Sequence, residues 1–232
     1  MRFGRFKIFI VLLPAVLPAC GPNQAVASFD LSLLIVFLFA LLSACATLLV
    51  PESDDPHRKL DQAVLLFHKQ ARPLRAERLI REAIGIFQKS NDQLGLAKAY
   101  QTYGFFFRSH SIEKWRNAFT RDGFLDKKAA YRSRLLSSIE YFDKAKAIFR
   151  ELNHYDGLAN VNYNLGVTYE YMDSHLLACQ AYEQSLESYR EGLLRNPDAN
   201  AAVPGGFSNY EEAVASHKKR MGCAEESSKT NN

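Results

Sequence analysis

The chain has 232 residues, of which 47% are hydrophobic and 23% are charged. This composition is typical of a folded globular protein and excludes a chain that is disordered throughout. The net charge is only +4, which argues against nucleic acid as the main partner, because phosphate binding requires a concentrated basic face.

The first twenty residues have the pattern of an export signal. Arg2, Arg5 and Lys7 precede an apolar run over 8–19. A basic start followed by such a run is typical of a secretory signal peptide. We therefore expect the protein to leave the cytoplasm.

A second apolar run, over 31–50, contains the tetrapeptide LSAC, which ends at Cys45. This tetrapeptide resembles the lipobox of bacterial lipoproteins, a family in which the chain is cut before the cysteine and the cysteine receives a lipid. The resemblance implies lipid attachment at Cys45. Ala46 in the next position implies an outer-membrane lipoprotein that faces the periplasm.

Other interpretations of the N-terminus stay open. The tetrapeptide LPAC, which ends at Cys20, also resembles a lipobox, but its proline is atypical and a cut there would leave the second apolar run on the mature chain. Twenty mostly apolar residues can also span a bilayer, so 31–50 could remain as an inner-membrane anchor. A third explanation of the two successive signal-like segments is that the translation start has been assigned too far upstream.

Residues 51–56 are rich in proline and acidic side chains, which predicts a short, extended and solvated tether. From 57 to 194 the apolar residues recur at three- and four-residue steps, the spacing of amphipathic helices. Leu60, Ala63 and Phe67 belong to the first such stripe.

The helical region repeats itself. Gly95 and Gly157 open the same Gly-Leu-Ala tripeptide, 62 residues apart. Self-similarity at a fixed offset predicts a stacked helical array. Four further residues recur at the same offset: Ala83, Ile86, Phe87 and Asn91 recur as Ala145, Ile148, Phe149 and Asn153.

Small and large side chains alternate along three successive segments. They are Leu60, Ala63, Val64, Phe67, Ala76, Ile80 and Ala83 in the first, Tyr103, Gly104, Phe107, Ser138, Phe142 and Ala145 in the second, and Leu165, Gly166, Tyr169, Ala178, Tyr182 and Ser185 in the third. This pattern resembles the tetratricopeptide repeat (TPR), a family in which each repeat is an antiparallel helix pair. The resemblance covers 58–198 and implies an all-α, right-handed superhelical stack of about three repeats. The second pair is split by an insertion at about 109–131.

The C-terminal region predicts a cap for the stack. Residues 199–207 are rich in small residues and predict a linker. The stretch 208–211 reads SNYE, which predicts a capping box that opens a last helix to about residue 221, and this helix would cover the exposed end of the stack. The predicted organisation is 1–50 signal or anchor, 51–56 tether, 57–198 repeats, 199–222 linker and capping helix, and 223–232 disordered tail.

Two of the four cysteines lie in the leader, so only Cys179 and Cys223 remain in the body of the chain. In an oxidising periplasm these two can form a disulfide. The alternative is a buried helix cysteine and a free cysteine in the tail.

Catalytic motifs are missing from the sequence. It contains no Gly-x-Ser-x-Gly elbow, no phosphate-binding glycine loop and no His-Glu-x-x-His. The six histidines are scattered without the spacing of a metal site. We therefore expect no catalysis, no metal, no cofactor and no small-molecule substrate.

In the TPR family the first helix of each pair lines a concave groove, so the resemblance implies a partner-binding surface. Asn160 and Asn164 lie one turn apart and are expected to reach a peptide backbone. Lys98 and Arg108 are expected to hold acidic groups, and the aromatic residues to act as anchors. The alternative is a face that is merely solvated or covered by the C-terminal helix. The predicted groove residues are Arg58, Gln62, Lys98, Gln101, Phe105, Arg108, Asn160, Tyr163, Asn164 and Tyr171.

The insertion is a second candidate surface. Its aromatic residues Trp115, Phe119 and Phe124 alternate with basic side chains. Long insertions in compact domains are often functional, which predicts a loop that contacts a partner. The alternatives are that the segment folds back and buries its aromatics on the stack, or that it touches an anionic membrane surface.

Three functions fit these observations. The first is an exported, membrane-anchored adaptor that holds a peptide segment of another protein. The second is a periplasmic immunity or inhibitor lipoprotein that neutralises a toxin domain, such as a phospholipase. The third is a docking component of a secretion or pilus assembly.

Overall fold

The computed structural model describes residues 53–197 and 203–223, and every regular element in these ranges is helical. The predicted signals, the anchor and the lipobox cysteines Cys20 and Cys45 lie outside the described residues, as do residues 198–202 and the tail after Cys223. None of the described helices combines the length and the apolar character that crossing a bilayer requires.

The regular structure of the described residues consists of nine α-helices, one π-helical turn and one 3-10 turn. The π-helical turn Leu65–Lys69 continues the first helix, and the 3-10 turn Tyr131–Ser133 precedes the sixth. The α-helices are α1 (Pro56–Val64), α2 (Pro73–Ser90), α3 (Gln93–Arg108), α4 (His110–Lys114), α5 (Arg116–Arg121), α6 (Arg134–Glu151), α7 (Tyr155–Tyr171), α8 (His175–Arg195) and α9 (Tyr210–Arg220).

The turns after α2 and α6 explain why the sequence repeats there. Asn91 and Asn153 end these two helices with φ angles of 55° and 53°, a left-handed conformation that asparagine tolerates better than most residues. Asp92 follows the first asparagine and accepts a hydrogen bond from the N–H of Gly95 at 2.8 Å. His154 follows the second and accepts one from the N–H of Gly157 at 3.0 Å. The repeated residues therefore build two equivalent turns.

The long helices pack in three pairs: α1 with α2, α3 with α6, and α7 with α8. The contacts of α2 with α3 and of α6 with α7 join one pair to the next. Since α4 and α5 lie between α3 and α6 in the sequence, the second pair is split by an insertion, as the spacing predicts. The result is an all-helical stack.

Within the second and third pairs, a glycine faces an aromatic ring. A Cβ atom on Gly104 would lie 2.7 Å from the ring of Phe142, and one on Gly166 would lie 2.5 Å from the ring of Tyr182. Only glycine allows the two helices to approach this closely. Ser138 adds a hydrogen bond from its hydroxyl to the carbonyl of Gly104 at 2.8 Å.

The insertion folds back onto the stack. Phe119 and Phe124 are each 1% exposed, and their rings stack with centroids 4.4 Å apart. Phe124 also contacts the ring of Phe107 at 5.0 Å. The expectation that Phe119 and Phe124 meet a partner is therefore wrong, because burying these rings contributes to the core instead.

The C-terminal helix begins one residue later than the predicted capping box. Asn209 accepts a hydrogen bond from the N–H of Glu212 at 2.8 Å, and the Glu212 carboxylate accepts one from the N–H of Ser208 at 2.9 Å. These reciprocal bonds satisfy N–H groups that have no partner within the helix. Helix α9 then buries Tyr210 and Val214 against the last pair.

Candidate binding surface

Predicted groove residues from α3 and α7 meet in the structure. Gln101 Nε2 donates to Asn160 Oδ1 at 3.0 Å, and Arg108 Nη1 donates to the carbonyl of Asn164 at 2.6 Å. These bonds join segments more than fifty residues apart. We call the surface that contains them the α3–α7 face, formed by Lys98, Gln101, Phe105, Arg108, Asn160, Asn164 and Tyr171.

Arg108 is the centre of this face. Beside its bond to the Asn164 carbonyl, it donates to Thr168 Oγ1 at 3.0 Å and to Asn164 Oδ1 at 2.8 Å. All three acceptors are neutral oxygen atoms. The guanidinium is therefore oriented by the protein without being neutralised by it.

Aromatic rings surround the same guanidinium. Its Cζ atom lies 5.5, 5.6 and 6.0 Å from the ring centroids of Phe105, Phe142 and Tyr171, within the range of cation–π attraction. Burial lowers the pKa of Arg108 to about 10, although three nearby tyrosines and the Glu170 carboxylate act to raise it. At neutral pH the side chain remains a cation, and no carboxylate in the described part of the chain forms a salt bridge with it.

The two asparagines do not both face a partner. Asn164 is 5% exposed, and its Nδ2 donates to the carbonyl and to Oδ1 of Asn160 at 2.7 and 2.8 Å. Its own Oδ1 holds Arg108. The expectation that both amides reach a peptide backbone is therefore wrong for Asn164, which positions the arginine, while Asn160 remains half-buried at the surface.

Tyr163 is also removed from the predicted groove. It is 8% exposed, and its hydroxyl lies 2.8 Å from His217 Nε2 on α9. The C-terminal helix therefore covers this position, as the alternative interpretation of the sequence allowed. Tyr163 therefore holds the C-terminal helix α9 in place and is not accessible to a partner.

The remaining predicted residues are accessible to different degrees. Lys98 is exposed, and Tyr171 is 66% exposed at the end of α7. On α1, which also packs against α3, Arg58 is exposed and Gln62 is half-buried. The most exposed of these side chains are therefore Lys98, Tyr171 and Arg58, and Arg58 lies 3.9 Å from the Asp55 carboxylate.

Two residues of the site were missed by the sequence analysis. Thr168 lies one turn after Asn164 and could have been found from that spacing. Phe142 belongs to α6 and reaches Arg108 only because α6 pairs with α3 across the insertion. No sequence pattern within either helix predicts that Phe142 and Arg108 are in contact.

Trp115 is the one predicted insertion residue that stays at the surface, with 37% of its area exposed. Its Nε1 donates to the carbonyl of Ala71 at 2.9 Å. Ala71 adopts a left-handed φ of 51° in the turn before α2. The tryptophan therefore ties the insertion to that turn rather than projecting from it.

The cap is held by a disulfide and a polar cluster. Cys179 of α8 pairs with Cys223, with Cα atoms 5.5 Å apart. The Glu170 carboxylate accepts hydrogen bonds from Tyr182 at 2.7 Å and from Arg220 at 2.6 Å. Burial acts to raise the pKa of Glu170, but these hydrogen bonds outweigh it, so the pKa lies below the ordinary 4.5.

Within the described residues, no group of three or more His, Cys, Asp or Glu side chains is placed to hold a metal ion. The comparisons with known proteins find no match: no family model, no curated protein and no solved structure is similar to this chain. Any assignment of function therefore depends on the helical stack and on the geometry of the α3–α7 face.

Proposed function

We propose that this protein is a TPR-like scaffold whose α3–α7 face binds an acidic segment of another protein. The observation that supports this most strongly is Arg108. A half-buried guanidinium is costly to desolvate unless a charge balances it. Here the groups that accept its hydrogen bonds are neutral, and Glu170 acts on its pKa without forming a salt bridge with it. An acidic side chain of a partner would supply the missing charge.

The surroundings of Arg108 support the same ligand. Lys98 adds a second cation on α3, and Tyr171 adds an exposed ring beside Arg108. Aromatic and arginine side chains supply most of the binding energy at many protein interfaces.

The inhibitor alternative loses its main support. An inhibitor of this kind would need a protruding aromatic loop to block an active site, whereas Phe119 and Phe124 are buried. Trp115 alone is a small contact area. The adaptor hypothesis remains the one that the accessible side chains favour.

We expect the full-length protein, in an uncharged detergent, to select acidic sequences from a random peptide-display library. Changing Lys98 to glutamate together with Tyr171 to alanine should weaken a selected peptide on the order of tenfold or more, because a charged hydrogen bond and an aromatic contact are lost. Titration calorimetry measures the change. Both side chains are accessible, so neither change should disturb the fold.

The matched control changes Lys89 to glutamate and Leu194 to alanine. Lys89 is exposed and Leu194 is 80% exposed, on α2 and α8, so the control makes the same charge change and truncates another large exposed side chain away from the face. Selected peptides without acidic bias, or an equal loss of affinity in both variants, would exclude the proposal.

The anchor part of the proposal concerns Cys45. If the chain is lipidated there, Cys45→Ser should abolish incorporation of labelled palmitate in cells and release the protein from the membrane fraction. Cys20→Ser serves as the matched control and should keep the label. Label that persists in the first variant and disappears in the second would move the attachment site to Cys20.

A further inference from the structure

A cleft of about 420 Å³ opens between α2 and α6, and the insertion loop closes one side of it. It is separate from the α3–α7 face, since its lining comes from other side chains. We call it the α2–α6 cleft. Its wall includes Arg81, Gly85, Tyr100, Lys128, Tyr141 and Lys144. A cleft of this size fits a small organic molecule.

Two tyrosines form the aromatic part of the lining. The rings of Tyr100 and Tyr141 have centroids 5.8 Å apart and are inclined at 49°. Lys144 Nζ lies 4.3 Å from the ring centroid of Tyr141 and forms a salt bridge with Glu140 at 2.7 Å. The lining thus combines flat apolar surface with positive charge.

Two further cations face the cleft without a salt bridge in the described part of the chain. They are Arg81 on α2 and Lys128 in the insertion loop, both exposed. Cations from separate segments that converge on one cleft are what an anionic group requires. The insertion is needed for this arrangement, because it supplies Lys128.

The one carboxylate in the lining is already occupied. Asp126 accepts hydrogen bonds from the hydroxyl of Tyr141 at 2.6 Å and from the N–H of Lys128 at 3.1 Å. Burial acts to raise the pKa of Asp126, but these bonds and the charge of Arg81 outweigh it and lower the pKa. Asp126 therefore fixes the loop, and because the lining holds Arg81, Lys128 and Lys144 against this one carboxylate, it carries an excess of positive charge.

Gly85 keeps the cleft open on the α2 side. A Cβ atom added there would meet no other atom within 4 Å. In contrast to Gly104 and Gly166, this glycine is not required for helix contact. The space beside it belongs to the cleft.

We propose that the α2–α6 cleft binds a small organic anion, with its phosphate or carboxylate group between Arg81 and Lys128 and its flat apolar part on the tyrosines. This goes beyond the binding of a partner protein and differs from the expectation that no small molecule is bound. The shared chemistry is an anionic group next to an aromatic or similarly flat body.

Ligand-observed NMR with the full-length chain in an uncharged detergent tests the proposal. Phenyl phosphate and benzoate are the anionic probes, and phenol is the uncharged one. We expect both anions to bind saturably and more tightly than phenol. Arg81→Gln with Lys128→Gln should weaken both anions on the order of tenfold or more, since each change removes a charged hydrogen bond.

Two controls make the outcome decisive. Arg78→Gln with Lys114→Gln removes the same charge from exposed positions outside the cleft and should leave binding unchanged. Gly85→Leu should narrow the cleft and weaken binding of all three probes in a folded protein. Failure of either anion to saturate, equal weakening in both double variants, or undiminished binding in Gly85→Leu would overturn the proposal. Peptide binding at the α3–α7 face should be unaffected throughout, so the two proposals fail separately.

Discussion

Replacing Glu77 by alanine is expected to lower the free energy of unfolding by about 2–5 kcal/mol. Glu77 is 2% exposed. Its Oε1 accepts a hydrogen bond from the hydroxyl of Tyr103 and one from the N–H of Leu125, both at 2.7 Å. Alanine would leave the buried Tyr103 hydroxyl and the partly buried Leu125 N–H without this acceptor and would free the loop that closes the α2–α6 cleft.

Glu77→Gln is the matched control, because its amide oxygen can still accept a hydrogen bond while the charge is removed. We expect it to retain most of the stability that alanine loses. Urea unfolding followed by circular dichroism measures both variants. Equal destabilisation by glutamine and alanine would show that the charge, rather than the acceptor, is what matters.

The same residue predicts a pH dependence. Burial raises the pKa of Glu77 above the ordinary 4.5, although the hydrogen bonds from Tyr103 and Leu125 oppose this. The folded state therefore binds the proton more tightly than the unfolded state. This stabilisation is fully present below pH 4.5 and is lost as the pH rises through the folded-state pKa. Glu77→Gln should remove that component from the pH profile.

Gly104→Leu and Gly166→Leu are each expected to cost about 1–3 kcal/mol of unfolding free energy. Leucine favours a helix more than glycine does, so any loss must come from crowding. The crowding is severe, because the new Cβ atoms would lie 2.7 and 2.5 Å from the rings of Phe142 and Tyr182. Helices that cannot approach each other leave these rings poorly packed.

Gly85→Leu is the matched control for both changes. A Cβ atom there would meet no other atom within 4 Å, so the gain in helix propensity should dominate and stability should rise by up to about 1 kcal/mol. Thermal unfolding of the three variants measures the contrast. Similar melting temperatures for all three would contradict the claim that glycine is required where the paired helices touch.

The helix pairs were readable from the chain because their determinants are local. The left-handed asparagines at 91 and 153, the glycines that follow them and the alternation of small and large residues each act over a few residues. They specify where a helix ends and which of its faces carries small side chains, so that another helix can pack closely against it. The split second pair followed from the same spacing, since Gly104 and Phe142 keep their pattern on either side of the insertion.

The candidate site was predictable only in outline. The resemblance to the tetratricopeptide family placed Arg108 and Asn164 in one groove, and the two side chains do meet. The resemblance could not show that Asn164 turns inward to hold the arginine, or that α9 covers Tyr163. It also could not show that the rings of Phe119 and Phe124 complete the core.

Residue patterns along the chain were thus sufficient for the helices, their pairing and the presence of a cap. The roles of Arg108, Glu77 and the α2–α6 cleft emerged from the folded arrangement alone. A side chain's own helix determines the direction in which it points, whereas its burial, charge balance and hydrogen bonds depend on other segments, which for Glu77 and Arg108 lie 26 to 56 residues away. Tertiary packing brings those segments together, and no short-range sequence pattern predicts which side chains will then be in contact.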